Sequence, residues 1–444
     1  MVRPIVATDW DRPLVYTHRV KNLAMDYYFS DANLEILQAL SLCCPGGVIF
    51  PNLRTLNWPW PFFRFIPFRV FFPSTLQRIG LSCTRSNTTM SLLSTLAISC
   101  PALRHFDISF HDSGTQDGND APTISMCDNA TSLFVCALQH IESLGMGVPT
   151  VAALQHISQL PQLTSLELKG LPTSLAASER LPPFTSPYLH TLTLGPSEID
   201  AATKFLRSFS EISLTYFSFI LKTCVSVAKI DAFFEAFRTA CCETSLESFT
   251  LGNHANIFPP PESQKDYMIT SRSLRILSCF GNIKRLSILS PVGFDVDDAT
   301  VAQLAVAWPR MESIVLQTDL MDLPSSMTLR ALHSLAVHCP QLRSVGMEIN
   351  ACPVPSHLGP RVSQDTLSYI DVGGSSIVHA PSVARYLSSF FPNLTTIYTQ
   401  RDGMDNEHPD EVEQHRDAIA HHLLWKQVED QIPEFVVARR EEHN

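Results

Sequence analysis

The chain of 444 residues is 45% apolar and 17% charged, a balance that supports a sizeable folded core and excludes wholesale disorder. Its 32 Lys and Arg against 43 Asp and Glu leave a formal charge of -11, which opposes general attraction to nucleic acid or to an anionic membrane. The opening MVRPIVATDW has no apolar secretory core and no long uninterrupted apolar run follows, so an intracellular chain, cytoplasmic or nuclear, with reduced thiols and no membrane span is expected.

Along the chain one short pattern returns, Leu-x-x-Leu-x-Leu with other apolar residues substituting. Its fourteen copies begin at Val20, Leu53, Leu76, Leu103, Ile141, Leu163, Leu189, Leu214, Leu246, Ile283, Met311, Leu342, Leu367 and Leu394, at spacings of 22 to 38 residues. The last two apolar positions are two apart, as in a strand with one buried face, and the first turns the chain into it. Each copy predicts a short parallel strand.

Between the second and third copies, WPWPFFRFIPFRVFFP (58–73) packs aromatics with Arg64 and Arg69; it reads as a cover for the core rather than a binding hot spot. Next, Leu93, Leu96, Ala97 and Cys100 recur at the spacing of one helix face, as do Ile230, Phe233, Phe234 and Phe237, then Val301, Leu304, Ala305 and Trp308, and Leu332, Leu335, Ala336 and Cys339. These predict helices that return the chain. Phe50, Cys100, Leu160, Trp308, Cys339 and Phe391 all precede a proline, three residues before a strand anchor. A slot shared by Cys, Phe, Leu and Trp is an apolar filler, not a metal or redox site, and the proline ends the helix there.

Ser109 to Ala130, rich in Gly, Asp, Ser and Asn, reads as a surface loop. Gly252 to Tyr267, with three successive prolines, reads as a stiff connector, with a proline-recognition peptide as the alternative. DVDD (295–298) resembles a calcium loop superficially and reads as the start of the helix carrying Val301. After Leu394, Pro409 with Asp410, Glu411 and Glu413 predicts a helix opening, and Ala420, Leu424, Trp425 and Val428 an apolar stripe that covers the last repeat. The expected organisation is a repeat solenoid over 1–400 and a helical cap and tail over 401–444.

Strand-helix units too small to bury their own faces stack into a solenoid. The expected fold is therefore an α/β leucine-rich-repeat horseshoe, with parallel strands on the concave face and helices on the convex face. Outward strand positions two after each anchor give a wall of Ser and Thr interrupted by Arg78, His105, Tyr216, Arg285 and Tyr369; one place after the anchor stand Arg54, Arg104 and Arg343 among other charges, and the first third of that rim is basic. These eight residues are the candidate protein-binding set. Glu411, His415 and His422 share one helix face by spacing, yet His-Glu-x-x-His, phosphate-loop, dinucleotide and nucleophile-elbow motifs are all missing. No metal, cofactor or enzyme class is indicated.

The order WDRPLVYTHRVKNL, FPNLRTLNW, FFPSTLQRIGL, LLSTLAISCPAL, LHSLAVHCPQLRSV and FFPNLTTIY resembles the F-box/leucine-rich-repeat proteins abundant in fungi, over Trp10 to the C-terminus. The resemblance implies the target-binding half of a ubiquitin-ligase substrate receptor whose F-box docks on the Skp1 adaptor. Only nine residues precede Trp10, so the F-box itself is expected to be missing from this chain, and Skp1 to bind only where an F-box lies upstream. The remaining expectations are an unidentified target protein, a monomer, and no nucleic-acid or membrane partner. A free-standing scaffold or decoy is the alternative, and an enzyme activator working through Arg54 or Arg104 a third reading.

Overall fold

The computed structural model describes residues 7–24, 41–44, 46–58, 68–111, 121–177, 181–184, 186–254, 258–318, 325–355, 363–402 and 416–443. The chain divides into two compact units, Met1–Gly195 with Ser208–Ile212, and Pro196–Arg207 with Ser213–Asn444.

In the first unit seven strands pair in parallel and in chain order: β1 (Asn22–Ala24), β2 (Thr55–Trp58), β3 (Arg78–Thr84), β4 (His105–His111), β5 (Ser143–Met146), β6 (Ser165–Leu168) and β7 (Thr191–Ser197). The pattern residues explain why. Leu53, Leu56 and Trp58, then Leu76, Ile79 and Leu81, then Leu103, Phe106 and Ile108 are buried at 2% exposure or less, so each strand has one dry face and one open face. The turn residues lock successive strands together: the Arg54 carbonyl accepts from the backbone N–H of both Gln77 and Arg78, and the Gln77 carbonyl from those of Arg104 and His105.

The second unit repeats this plan in β8 (Tyr216–Leu221), β9 (Ser248–Asn253), β11 (Arg285–Ser290), β13 (Ser313–Thr318), β14 (Ser344–Met347), β15 (Tyr369–Asp371) and β16 (Thr396–Tyr398), parallel in that order. A separate pair of two-residue strands, β10 (Ile269–Thr270) and β12 (Phe294–Asp295), lies outside that sheet. Phenylalanines thicken this core, with Phe217 in ring contact with Phe233, Phe237 and Phe249, and Phe237 with Phe249. Both units are α/β leucine-rich-repeat solenoids, since each strand pairs with the strand of the next repeat and helices return the chain between them.

The returning helices begin and end as the residues dictate. Asn87–Ser99 is capped by Ser86, whose hydroxyl accepts the Thr89 N–H; Asp298–Ala307 is capped by Asp297, which accepts the Thr300 N–H, so DVDD does open a helix. These two helices and Leu329–His338 close at Cys100, Trp308 and Cys339, which share φ between -116 and -120° and ψ between 63 and 76° and are at most 1% exposed. The proline that follows each forbids a further helical residue, and the side chain closes the helix against the strand layer.

Several expectations are corrected. The polar stretch 109–130 is not one loop: β4 runs to His111, residues 112–120 lie outside the described part, and a helix covers Ala121–Cys136. Its buried face is Cys127, Thr131, Ser132, Phe134 and Val135, with the Thr131 hydroxyl donating to Cys127 O and the Ser132 hydroxyl accepting the Thr150 N–H. Of the Pro-rich connector, Pro261–Tyr267 forms a 3-10 helix. Of the aromatic stretch, Trp58, Val70, Phe71 and Phe72 are buried, whereas 59–67 lie outside the described residues. The helix opening at Pro409 also lies outside; the described helix is Arg416–His443, and its buried stripe is Trp425, Val428, Ile432 and Val436, not Ala420 and Leu424.

Candidate functional site: the open face of the first strands

Parallel pairing places side chains in rows across the open face. One row reads Thr55, Arg78, His105 and Ser143; the next, two residues along, reads Asn57, Gly80, Asp107 and Gly145. Together with Leu56, Ile79 and Phe106 beneath, these residues, Gly145 excepted, line a depression of about 450 Å³ in the first unit. Gly80 makes its floor, because neighbouring strands at about 4.8 Å would otherwise fill the row with side chains.

The walls are set by charge. A Cβ on Gly145 would stand 2.3 Å from Asp107 Oδ1, so the Asp107 carboxylate occupies the space that glycine leaves. There Lys169 Nζ meets it at 3.1 Å and also donates to Ile108 O at 3.0 Å. Arg104 pairs with Glu142 at 2.6 Å, and the other Glu142 oxygen lies 3.6 Å from His105 Nε2. Arg78 Nη2 lies 3.4 Å from that same nitrogen. His105 is held below the ordinary histidine range by burial, then by Arg78 and Arg104, with Glu142 opposing. Among the described residues no carboxylate lies within 4.0 Å of the guanidinium of Arg54 or Arg78, both of which are exposed.

The structure thus brings Arg54, Arg78, Arg104 and His105 together on adjoining repeats. In the second unit, Tyr216 and Arg285 share a row through Ser248, and Arg285 lies 3.7 Å from Glu312. Tyr369 packs edge-on against Tyr398 with centroids 5.0 Å apart, and Arg343 is exposed one residue before β14. Asn57, Gly80 and Asp107 belong to the depression and were not among the predicted residues; the signal that could have found them is the second outward position, four after each anchor, whereas Lys169, which pairs with Asp107, stands six after its anchor and follows no such rule. Of the histidine trio, His422 Nδ1 lies 2.7 Å from the Thr399 hydroxyl, while Glu411 and His415 fall outside the described residues. No described helix is long and apolar enough to cross a membrane.

No protein-family model matches the chain, and no curated protein does. Among solved structures, the crystal structure of a Rad7 and Elc1 complex in yeast is similar at TM-score 0.39 and 14% identity, over 78% of this chain and 69% of that one. A leucine-rich-repeat protein of Leptospira interrogans gives TM-score 0.39 and 14% identity over 81% of each chain. The leucine-rich-repeat-containing protein LegL7 from Legionella pneumophila gives 0.31 and 14%, over 84% of this chain and 98% of that one.

Proposed function

We propose that this chain is a protein-recognition module which holds its partner on the open strand face of the first unit, against the basic rim of Arg54, Arg78 and Arg104. The observation that carries this reading is the depression over Gly80 on the open strand face, lined by Arg78, which has no carboxylate partner among the described residues, with Arg54 exposed on the adjoining repeat. Solenoids present such extended faces to partners, and rim charges steer and select them. Within this reading, the sequence resemblance supports an intracellular role as the target-binding half of an F-box-type ubiquitin-ligase receptor. Binding rather than catalysis is the proposed work of the site, and Tyr216, Arg285, Arg343 and Tyr369 are proposed as a secondary contact set.

Two measurements test it. Changing Arg54, Arg78 and Arg104 together to Glu should abolish partner capture while leaving the thermal melt within the range expected for exposed residues; unchanged capture would move the site elsewhere. The ligase role requires that the captured partner be ubiquitinated in a reaction supplied with Skp1, a cullin ligase core and the protein. Capture without ubiquitination in that reaction favours the scaffold or decoy.

A further inference from the structure

We propose that the depression over Gly80 is an anion notch that takes one aspartate or glutamate side chain of an extended acidic segment of the partner, held by Arg78 and lodged beside His105. This rests on the reading of the face as a recognition surface and names the chemistry recognised there.

The notch is open because of two glycines. Gly80 contributes no side chain to the row, and Gly145 leaves the space in which the Asp107 carboxylate reaches Lys169. The Asp107 carboxylate that lines the notch is thereby paired with Lys169, and Arg104 is likewise occupied by Glu142. Among the described residues, what remains unpaired in the notch is the charge of Arg78, so the complement is negative although the whole chain carries -11. Arg78 offers a fork of N–H donors that fits both oxygens of one carboxylate. Glu142, 3.6 Å from His105 Nε2, adds a negative charge beside the site, which a doubly charged phosphate would meet at greater cost than a single carboxylate.

His105 couples the notch to pH. The groups facing it are Arg78 from β3, Arg104 and Asp107 from its own segment, and Glu142 from the turn into β5. When Arg78, 3.4 Å away, donates to Nε2, that nitrogen accepts and carries no proton. A carboxylate that engages Arg78 withdraws the donor and adds negative charge, leaving Nε2 free to take a proton and face Glu142. Binding therefore takes up a proton, and affinity rises as pH falls.

The test is fluorescence anisotropy on the full chain with labelled, amidated oligoglutamate, and with oligoglutamine and oligolysine of equal length, near physiological salt so that the overall charge is screened. Oligoglutamate alone should bind, several-fold more tightly at about pH 6 than at about pH 8. Arg78→Gln should lose about tenfold or more, as expected for a charge-assisted contact. Gly80→Val should lose binding by filling the notch; its Cβ meets only the tip of Asn57, at 3.0 Å, so the fold should survive, checked by circular dichroism. His105→Gln should flatten the pH dependence of binding, and Arg310→Gln, at an exposed residue of the second unit outside the contact sets, should change nothing. Equal binding of oligoglutamine, full affinity in Arg78→Gln, or displacement by inorganic phosphate at matched ionic strength would each overturn the proposal. A partner whose capture is lost in the triple Glu variant, yet is not displaced by oligoglutamate, would sink the notch and leave recognition standing. Oligoglutamate binding with no partner captured would do the reverse.

Discussion

Cys339 lies fully buried, with its sulfur 3.6 Å from Trp308 O and 3.7 Å from Ala305 O, and burial pushes its thiol up to about 12. Cys100 sits the same way, 3.7 Å from Pro73 O. A thiol so placed is an apolar filler of modest size. Cys339→Val should therefore cost under about 1.5 kcal/mol as a near volume-conserving exchange, whereas Cys339→Asp should prevent folding by burying a carboxylate without a partner. Chemical denaturation of both variants decides it; equal tolerance would contradict the slot. That role was legible from sequence because Trp, Leu and Phe occupy the same place in other repeats. The anion notch was only half legible. Arg78 and His105 stand out in a column of Ser and Thr, but Gly80 announces itself only by absence, and the charge of Asp107 is cancelled by Lys169, 62 residues away. No local pattern carries a pairing of that range.

At the scale of elements, the strands were readable because burial repeats every second residue. The helix Ala121–Cys136 was not, because Thr131 and Ser132 interrupt the apolar face of Cys127, Phe134 and Val135, and their hydroxyls find backbone partners only once the helix exists. The C-terminal helix is the clearest case of an element held by particular contacts. Trp425 is buried and donates its ring N–H to Ser375 O, Glu429 accepts the Ile397 N–H, and Lys426 donates to Ile397 O. We propose that it shields the last repeat. Trp425→Ala should then lower stability by about 3–5 kcal/mol, and deletion of 416–444 should raise ANS binding; a soluble truncation with an unchanged melt would refute the shield. Asp402 adds a pH dependence. Its burial pushes the carboxyl up, but the Thr399 N–H and Lys426 outweigh that and hold it below the ordinary range. A depressed folded value stabilises above the unfolded pKa of about 3.9 and is lost as pH falls through the folded value. The stability deficit of Asp402→Asn should be present at neutral pH and vanish in strong acid. A deficit that persists there would mean that the contact is not electrostatic.

Over the whole molecule, all twelve cysteines are free thiols, and their burial differs from repeat to repeat. Cys83, Cys100, Cys127, Cys241 and Cys339 are buried, and desolvation raises the pKa of each; Cys43 and Cys352 are exposed. Alkylation of the native chain at mildly alkaline pH should reach Cys43 and Cys352 first and the buried five only on unfolding, followed by peptide mass mapping. Early modification of the buried set would show that the repeats open independently of global unfolding. The pairing of every strand with the strand of the neighbouring repeat, in each unit, also bears on how the chain folds. Among the described residues no strand pair in either unit asks for a contact across the full length of the sequence; each pair of repeat strands closes a segment of one repeat, 22 to 38 residues between anchors. Closure entropy grows only with the logarithm of that length, so the shortest and longest of these steps differ by about 0.5 kcal/mol. Each additional repeat thus meets nearly the same entropic step as the one before it, and the search for the native topology grows with the number of repeats rather than with the number of ways distant segments could meet.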